Sequence, residues 1–214
     1  MPHRANIAGQ TFILSTEKVI FWHEMQWLII ADAHFSKETH FRKHGIAIPP
    51  NIIQQDMQRV ELLIGQYQPK KVVFLGDMFH SDNNPGMDAF AAWRGKQQVE
   101  MDLVVGNHDI LDRSWYGTND VQLHPVSLVA ENIMLAHDAL PEVADDLYLL
   151  HGHIHPCIRL TGKAKQVMRL PCYWFAERKG VLPSFGTFTG GHTVLPAKTD
   201  MVFAIAGNEV IAIS

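Results

Sequence analysis

The sequence predicts an α/β fold in which two mixed β-sheets lie face to face with helices outside them, a four-layer α/β/β/α sandwich. Two observations support this prediction. The first half of the chain alternates strand and helix patterns, whereas from Val121 onward short apolar runs alternate with turns. In addition, five apolar runs end in aspartate, asparagine or histidine, as buried strands do when they deliver side chains to one edge of a sheet. The 214 residues suit one domain, 1–214, with no linker or repeat.

In chain order, apolar runs separated by polar turns predict strands at 11–14, 19–22 and 27–31. A helix opens at Pro49 and Pro50, carries apolar residues at helical spacing from Ile52 to Tyr67, and ends near Pro69. A strand at 72–75 and a short helix at about 87–98 follow. The second half predicts short strands at 126–130, 133–136, 147–150, 158–160, 167–170, 173–175, 201–206 and 210–213, with a long loop at 182–199.

The composition is 47% hydrophobic and 19% charged, which is ordinary for a globular protein. The net charge of -4 argues against a protein that coats nucleic acid by bulk charge, although a local basic patch remains compatible with it. Two cysteines are too few for a disulfide framework, and no apolar run approaches the roughly 20 residues that span a membrane. The amino-terminal residues also lack the apolar core of a signal peptide. We therefore expect a cytoplasmic protein without a membrane partner.

The polar residues that follow the strands indicate the chemistry of the protein. The run 72–75 stops at Gly76 and is followed by Asp77, and four further runs end in the same way. Together they supply two carboxylates, one amide and five imidazoles: Asp32, His34, Asp77, Asn107, His108, His137, His153 and His155. Because alternate side chains of an extended segment point to the same side, the Asp-x-His and His-x-His pairs can each aim two side chains at one place.

This ligand set contains oxygen and nitrogen but no thiolate, which suits Mn²⁺, iron, Zn²⁺ or Co²⁺ at a catalytic site. Eight candidates exceed the roughly four protein ligands that one ion uses. Two adjacent ions that share a bridging carboxylate accommodate them. The expected cofactors are therefore two divalent metal ions, with Mn²⁺ first and iron, Zn²⁺ or Co²⁺ as alternatives.

These residues resemble, in order, the five sequence blocks of the calcineurin-like metallophosphoesterase superfamily. The blocks are Asp32-x-His34, Gly76-Asp77, Gly106-Asn107-His108-Asp109, His137 and Gly152-His153-x-His155. A narrower resemblance, to the bacterial ligase-associated DNA-damage-response endonucleases, covers nearly the whole chain. It rests on stretches that start at Asp32, Phe41, Gly76, Arg169 and Pro183.

The resemblance implies a role for each strand-end residue. Asp32, His34 and His155 would hold the first metal, Asp77 would bridge both, and Asn107, His137 and His153 would complete the second. His108 would lie beside the scissile phosphate, either as a general acid or as a neutral hydrogen-bond donor. A metal-bridging hydroxide would then attack the phosphodiester in line.

Four further residues are candidates for contact with the substrate or with the ligands. In the phosphatase branch of the superfamily an aspartate three residues after the bridging one orients the catalytic histidine. Here that position is His80, so we expect no strict His–Asp dyad. Lys37 and Arg42 are close in sequence to Asp32 and His34 and are candidates for holding a substrate phosphate. Asp109 is expected to cap a turn or orient an imidazole.

The stretch 156–182 holds six basic residues against one acid, Glu177, in an otherwise acidic chain. The six are Arg159, Lys163, Lys165, Arg169, Arg178 and Lys179. They are either a track for a phosphate backbone or an ordinary solvated face.

The expected function is that of a metal-dependent phosphodiesterase or endonuclease acting on DNA, in DNA repair beside a DNA ligase and a helicase. The substrate and the partners follow from the resemblance and not from the composition. Two alternatives stay open. One is a phosphohydrolase of small nucleotides or phosphomonoesters, and the other is a non-catalytic interaction scaffold of the same fold.

Overall fold

The strands of the protein form two mixed β-sheets, one of seven and one of nine strands. A computed structural model describes residues 1–35, 52–79, 85–162, 166–187 and 189–213. The predicted architecture of two mixed sheets flanked by helices is confirmed. Whether the whole chain is a single domain stays a prediction.

The seven-stranded sheet follows chain order. Its strands are β1 (His3–Ile7), β2 (Gln10–Leu14), β3 (Val19–Trp22), β4 (Trp27–Ala31), β5 (Lys71–Leu75), β6 (Glu100–Val104) and β7 (Val121–His124). The first four strands are antiparallel and the last four are parallel to one another. The described helices are α1 (Ile52–Tyr67), α2 (Pro85–Arg94) and α3 (Arg113–Thr118).

The nine-stranded sheet comes from the second half of the chain. Its strands are β8 (Ser127–Ala130), β9 (Ile133–Ala136), β10 (Tyr148–His151), β11 (Pro156–Thr161), β12 (Val167–Phe175), β13 (Lys179–Val181), β14 (His192–Thr193), β15 (Met201–Ala206) and β16 (Glu209–Ala212). The order is β14-β11-β12-β13-β10-β9-β8, with β15 joining β12 to β16. Strands β9, β10 and β13 are parallel, so β9 and β10 end at the same edge of the sheet.

Alternating side chains of the buried strands build two cores. Ile29, Val73 and Leu75 face the second sheet and pack in one cluster with Leu135 and Leu150. Their neighbours along the strands point the other way and pack against the helices, in a cluster that includes Ile30, Phe74, Val60, Phe90 and Tyr116. All three described helices thus cover the outer face of the seven-stranded sheet.

A buried tyrosine ties the two sheets together. The hydroxyl of Tyr173 on β12 donates to the carbonyl oxygens of Ser15 at 2.6 Å and Val19 at 2.9 Å. Tyr173 is fully buried, so these bonds are shielded from water. They help to fix one sheet relative to the other, which matters because the polar strand ends of both sheets meet at one edge.

The five strands with polar ends are all present, and each has three or four buried residues. The predicted second helix is shorter than expected, because it ends at Arg94 before Gly95 rather than near residue 98. The predicted opening of α1 at Pro49 and Pro50 lies outside the described residues.

Strands β1, β7, β13 and β14 and helix α3 were not predicted from the sequence. Strand β1 pairs with β2 along its whole length. Helix α3 begins after Asp112, whose Oδ1 accepts the backbone N–H of Ser114 at 2.8 Å. Aspartate is a favoured N-cap residue, and Asp112 was the signal that could have predicted this start.

None of the described helices has both the length and the apolar character needed to cross a lipid bilayer.

Candidate metal centre

The polar strand ends come together in two groups of three at one edge of the paired sheets. Asp32, His34 and His155 form group 1, and Asp77, His137 and His153 form group 2. In each group, one potential ligand atom from every residue lies within 4.8 Å of the other two. Each group draws residues from both halves of the chain, so the packing of the two sheets assembles the site.

Asp77, a member of group 2, also faces group 1. Its Oδ2 is 3.8 Å from Nε2 of His34 in group 1, and its Oδ1 is 3.5 Å from Nε2 of His137 in group 2. The carboxylate is almost fully buried, at 3% exposure. Because one oxygen faces each group, Asp77 has the placement that a bridging ligand requires.

Asp32 carries a buried oxygen that no described residue satisfies. Its Oδ2 accepts the backbone N–H of His153 at 2.9 Å, but its Oδ1 has no hydrogen-bond donor. That Oδ1 lies 3.5 Å from Nε2 of His155 and 3.7 Å from Nδ1 of His137. A buried carboxylate oxygen without a donor is costly, and a cation would satisfy it.

The imidazoles are held from behind by backbone carbonyls. Nδ1 of His137 lies 3.1 Å from the carbonyl oxygen of Leu75, and Nδ1 of His155 lies 3.2 Å from that of Thr189. When Nδ1–H donates to these carbonyls, the lone pair of Nε2 faces the site. This is the usual arrangement of a metal-binding histidine.

Asn107 joins group 2. Its Oδ1 lies 2.9 Å from Nε2 of His137, and Nδ1 of His153 lies 3.0 Å from the same nitrogen. With the proton of His137 on Nδ1, lone pairs from all three side chains converge on one point, which a cation would stabilise. The donor set, the buried oxygen of Asp32 and this convergence all fit two divalent metal ions.

The backbone at these positions is unusual. Asp32, His34, Asp77, His153 and His155 all have positive φ angles, between 45° and 69°. These five make up nearly half of the eleven non-glycine residues with positive φ in the described part of the chain. Such conformations are unfavourable for residues with a Cβ and concentrate at functional sites. The turns after the strands are therefore shaped to aim these side chains inward.

Two glycines make room for the ligands. A Cβ on Gly76 would lie 2.2 Å from Nδ1 of His137, and one on Gly152 would lie 2.5 Å from Oδ2 of Asp32. Gly76 also has a φ of 68°. The glycine that precedes Asp77 and the one that precedes His153 are thus required by close packing within the site.

Asp109 ties together the turns after β5 and β6. Its Oδ1 accepts the backbone N–H of Met78 at 2.8 Å, and its Oδ2 accepts that of Gly106 at 2.8 Å. Burial, together with the nearby Asp77 carboxylate, raises the pKa of Asp109 to about 6 against the opposing effect of these hydrogen bonds. Asp109 is therefore placed to position its neighbours.

His108 lies at the partly open side of the site. Its backbone N–H donates to Oδ1 of Asp77 at 2.9 Å, and its ring centroid is 5.9 Å from that of His34. Its ring thus lies beside group 1 while its backbone is anchored to Asp77, and His108 is a member of neither group. His80, Lys37 and Arg42 lie outside the described residues.

The sequence did not assign a role to the segment after β13, which supports group 1. The hydroxyl of Ser184 donates to the carbonyl oxygen of Asp32 at 3.0 Å, and the backbone N–H of Gly186 donates to the same oxygen at 3.2 Å. Thr189 accepts from His155, as described above. This segment belongs to the predicted long loop at 182–199, and only its tertiary contacts reveal that it holds the site.

The basic stretch does not form one track. Arg159 and Arg169 lie on β11 and β12, which continue from the site, whereas Lys179 begins β13 beside the start of β10, away from its carboxyl end. Nη1 of Arg178 forms an ion pair with Oδ1 of Asp145 at 2.6 Å. Lys163 and Lys165 lie outside the described residues.

No protein-family model and no curated protein matches the sequence. Among solved structures, a nuclease, MPE of Pseudomonas putida, matches over 100% of both chains with a TM-score of 0.81 and 24% identity. YfcE, a phosphoesterase from E. coli, matches with a TM-score of 0.42 and 14% identity over 87% of this chain and 96% of its own. A protein of unknown function from Aquifex aeolicus matches with a TM-score of 0.43 and 16% identity over 60% of this chain and 78% of its own. The last two overlaps are too low to support an argument, so the fold assignment rests on the first. Across its whole length, the chain has the fold of a solved nuclease.

Proposed function

We propose that the protein is a hydrolase that uses two divalent metal ions to cleave phosphodiester bonds in DNA. The observation that supports this most strongly is the position of Asp77, with one carboxylate oxygen toward each group of three candidate ligands. A site for a single ion would need no buried carboxylate between two histidine-rich groups.

In this proposal Asp32, His34 and His155 would hold the first ion, Asn107, His137 and His153 would hold the second, and Asp77 would be a ligand of both. The bound ions would supply a water of lowered pKa and stabilise the attacking and leaving oxygens of an in-line displacement. The chain contributes the geometry. Leu75 and Thr189 orient two of the imidazoles, and Asp109 holds the turns that carry Asp77 and Asn107.

His108 is the proposed catalytic residue beside the metals. Its backbone N–H donates to Asp77 and its ring lies beside that of His34, which supports a position next to a substrate phosphate bound at the two groups. From there it can give a proton or a hydrogen bond to the leaving oxygen or to a phosphoryl oxygen. Lys37 and Arg42 are proposed to hold a substrate phosphate.

The choice of DNA as substrate is supported by the resemblance of nearly the whole chain to ligase-associated DNA-damage-response endonucleases and by the shared fold with a nuclease. The same resemblance supports a role in DNA repair beside a DNA ligase and a helicase. Mn²⁺ is the proposed ion, because the mixed carboxylate, amide and imidazole set suits it.

The proposal is tested by assaying the purified protein with added Mn²⁺ on an aryl phosphodiester, on single-stranded, gapped and flapped DNA, and on 2′,3′-cyclic nucleotides and phosphomonoesters. We expect metal-dependent hydrolysis of the aryl phosphodiester and cleavage of DNA, both abolished by a chelator. Preference for cyclic nucleotides or monoesters would replace DNA with a small substrate. Lack of hydrolysis with Mn²⁺, Fe²⁺, Zn²⁺ or Co²⁺ would point to a non-catalytic scaffold.

A further inference from the structure

Two arginines lie side by side on the hairpin that leaves the metal centre. Strand β11 begins at Pro156, directly after His155 of group 1. It runs antiparallel to β12, and the register places Arg159 directly opposite Arg169. Residues directly opposite in such a pair have Cβ atoms about 4.5–5.5 Å apart and project from the same face of the sheet.

That face is the one turned toward the other sheet. Side chains alternate along a strand, so Arg169 shares its face with Tyr173 and Phe175. Both of these pack in the core between the two sheets. The two arginines thus continue the inner face of β12 beyond the end of the core, on the side where the strand ends of the metal centre lie.

A contact at Gly191 places Arg169 beside the site independently of this alternation. A Cβ built on Gly191 would lie 3.1 Å from the carbonyl oxygen of His155 and 3.6 Å from Nη2 of Arg169. The guanidinium group therefore lies close to the backbone of a candidate ligand of the first ion. Arg159, its cross-strand partner, lies at the same level of the hairpin on β11.

No contact within the described part of the protein explains why these two arginines lie opposite each other. Both side chains are exposed, and neither forms an ion pair or hydrogen bond with any residue that the structure describes. Two like charges directly opposite each other weaken an antiparallel pair. An anion between or across them would relieve that repulsion, and the planar guanidinium fork matches a phosphate group in particular.

We propose that Arg159 and Arg169 bind a backbone phosphate of the DNA substrate, away from the scissile bond and on the His155 side of the metal centre. This inference rests on the proposed function, which it extends by assigning a path to the DNA strand across the protein surface. The occupant is a polynucleotide because a substrate with a single phosphate would bind at the metals and leave the arginine pair empty.

The test compares wild-type protein with the double variant Arg159→Ala/Arg169→Ala. The matched control is Arg4→Ala/Lys70→Ala, which removes the same charge from exposed positions on β1 and just before β5, away from the carboxyl ends of the strands. Binding of a fluorescein-labelled oligonucleotide, single-stranded or duplex, is measured by anisotropy in EDTA over a range of salt concentrations. Hydrolysis of DNA and of an aryl phosphodiester is then compared with Mn²⁺ present.

Loss of the contact with this one phosphate should lower the magnitude of the slope of log K against log salt by about 0.7 to 0.9 and weaken binding by roughly tenfold at low salt. DNA cleavage should fall by a similar factor while aryl phosphodiester hydrolysis stays within about twofold of wild type. Arg159→Lys/Arg169→Lys should recover most of the salt slope because it keeps both charges.

The inference is overturned if the double variant binds and cleaves DNA like the control, or if wild-type protein does not bind DNA. If the aryl phosphodiester is still hydrolysed in either case, the proposed hydrolase function stands. Conversely, DNA binding that depends on the two arginines, in a protein that hydrolyses none of the substrates, would support this inference and refute the proposed function.

Discussion

Replacing Asp77 by asparagine is expected to lower hydrolysis of both DNA and an aryl phosphodiester about a thousandfold, equivalent to about 4 kcal/mol of transition-state stabilisation. The amide keeps the shape of the side chain but removes the negative charge that both groups of ligands face. Bound metal, measured by elemental analysis, should fall from about two ions per chain to about one or fewer.

Glu61→Gln serves as the control, since Glu61 is an exposed carboxylate on α1. It should keep full activity and full metal content. An Asp77→Asn variant with wild-type turnover would rule out a mechanism in which this carboxylate bridges two ions.

Replacing His108 by alanine is expected to reduce DNA cleavage by about 10²- to 10⁴-fold, the range typical of a lost acid or base catalyst. The effect on an aryl phosphodiester should be much smaller, because an aryl oxide leaves without needing a proton. Metal content should not change, since His108 belongs to neither group of candidate ligands.

His23→Ala is the matched control, because His23 is exposed in the turn after β3. It should leave both activities unchanged. An equal loss on both substrates in His108→Ala would mean that His108 stabilises a phosphoryl oxygen and does not protonate the leaving oxygen. A loss of bound metal would contradict the proposed role and make His108 a ligand or a structural residue.

The five strands that carry the site could be predicted because their signals are local. An apolar run such as 72–75, a glycine and then a carboxylate are all contained within a few residues. The gathering of Asp32, Asp77 and Asn107 also followed from a general rule, since parallel strands end at one edge of a sheet. The alternation of strands and helices was enough to predict the two mixed sheets.

The contacts that hold the candidate ligands in place could not be predicted, because they join distant parts of the chain. Ser184 donates to the backbone of Asp32, 152 positions earlier in the sequence. The basic stretch looks continuous in the sequence, yet Arg178 and Lys179 lie at the start of β13 while Arg169 lies beside the metal centre. The separation follows from the length of β12 and its antiparallel pairing with β13, which places Lys179 beyond Phe175 and away from Arg169.

The positive φ angles of the site could not be predicted from the sequence either. A positive φ is commonly anticipated at glycine, and Gly76 was correctly expected to stop a strand. The same conformation at His34, His153 and His155 has no signal in the residue type. It is imposed by the turns that aim these side chains inward, and we infer that metal binding offsets part of its cost.

The central claim is that two metal ions bind on either side of Asp77. Crystals grown with Mn²⁺ and measured near the manganese absorption edge test it most directly. We expect two anomalous peaks about 3.5–4 Å apart, one beside Asp32, His34 and His155 and the other beside Asn107, His137 and His153, with Asp77 between them. A single peak, no peak, or peaks that Asp77 does not join would contradict the account.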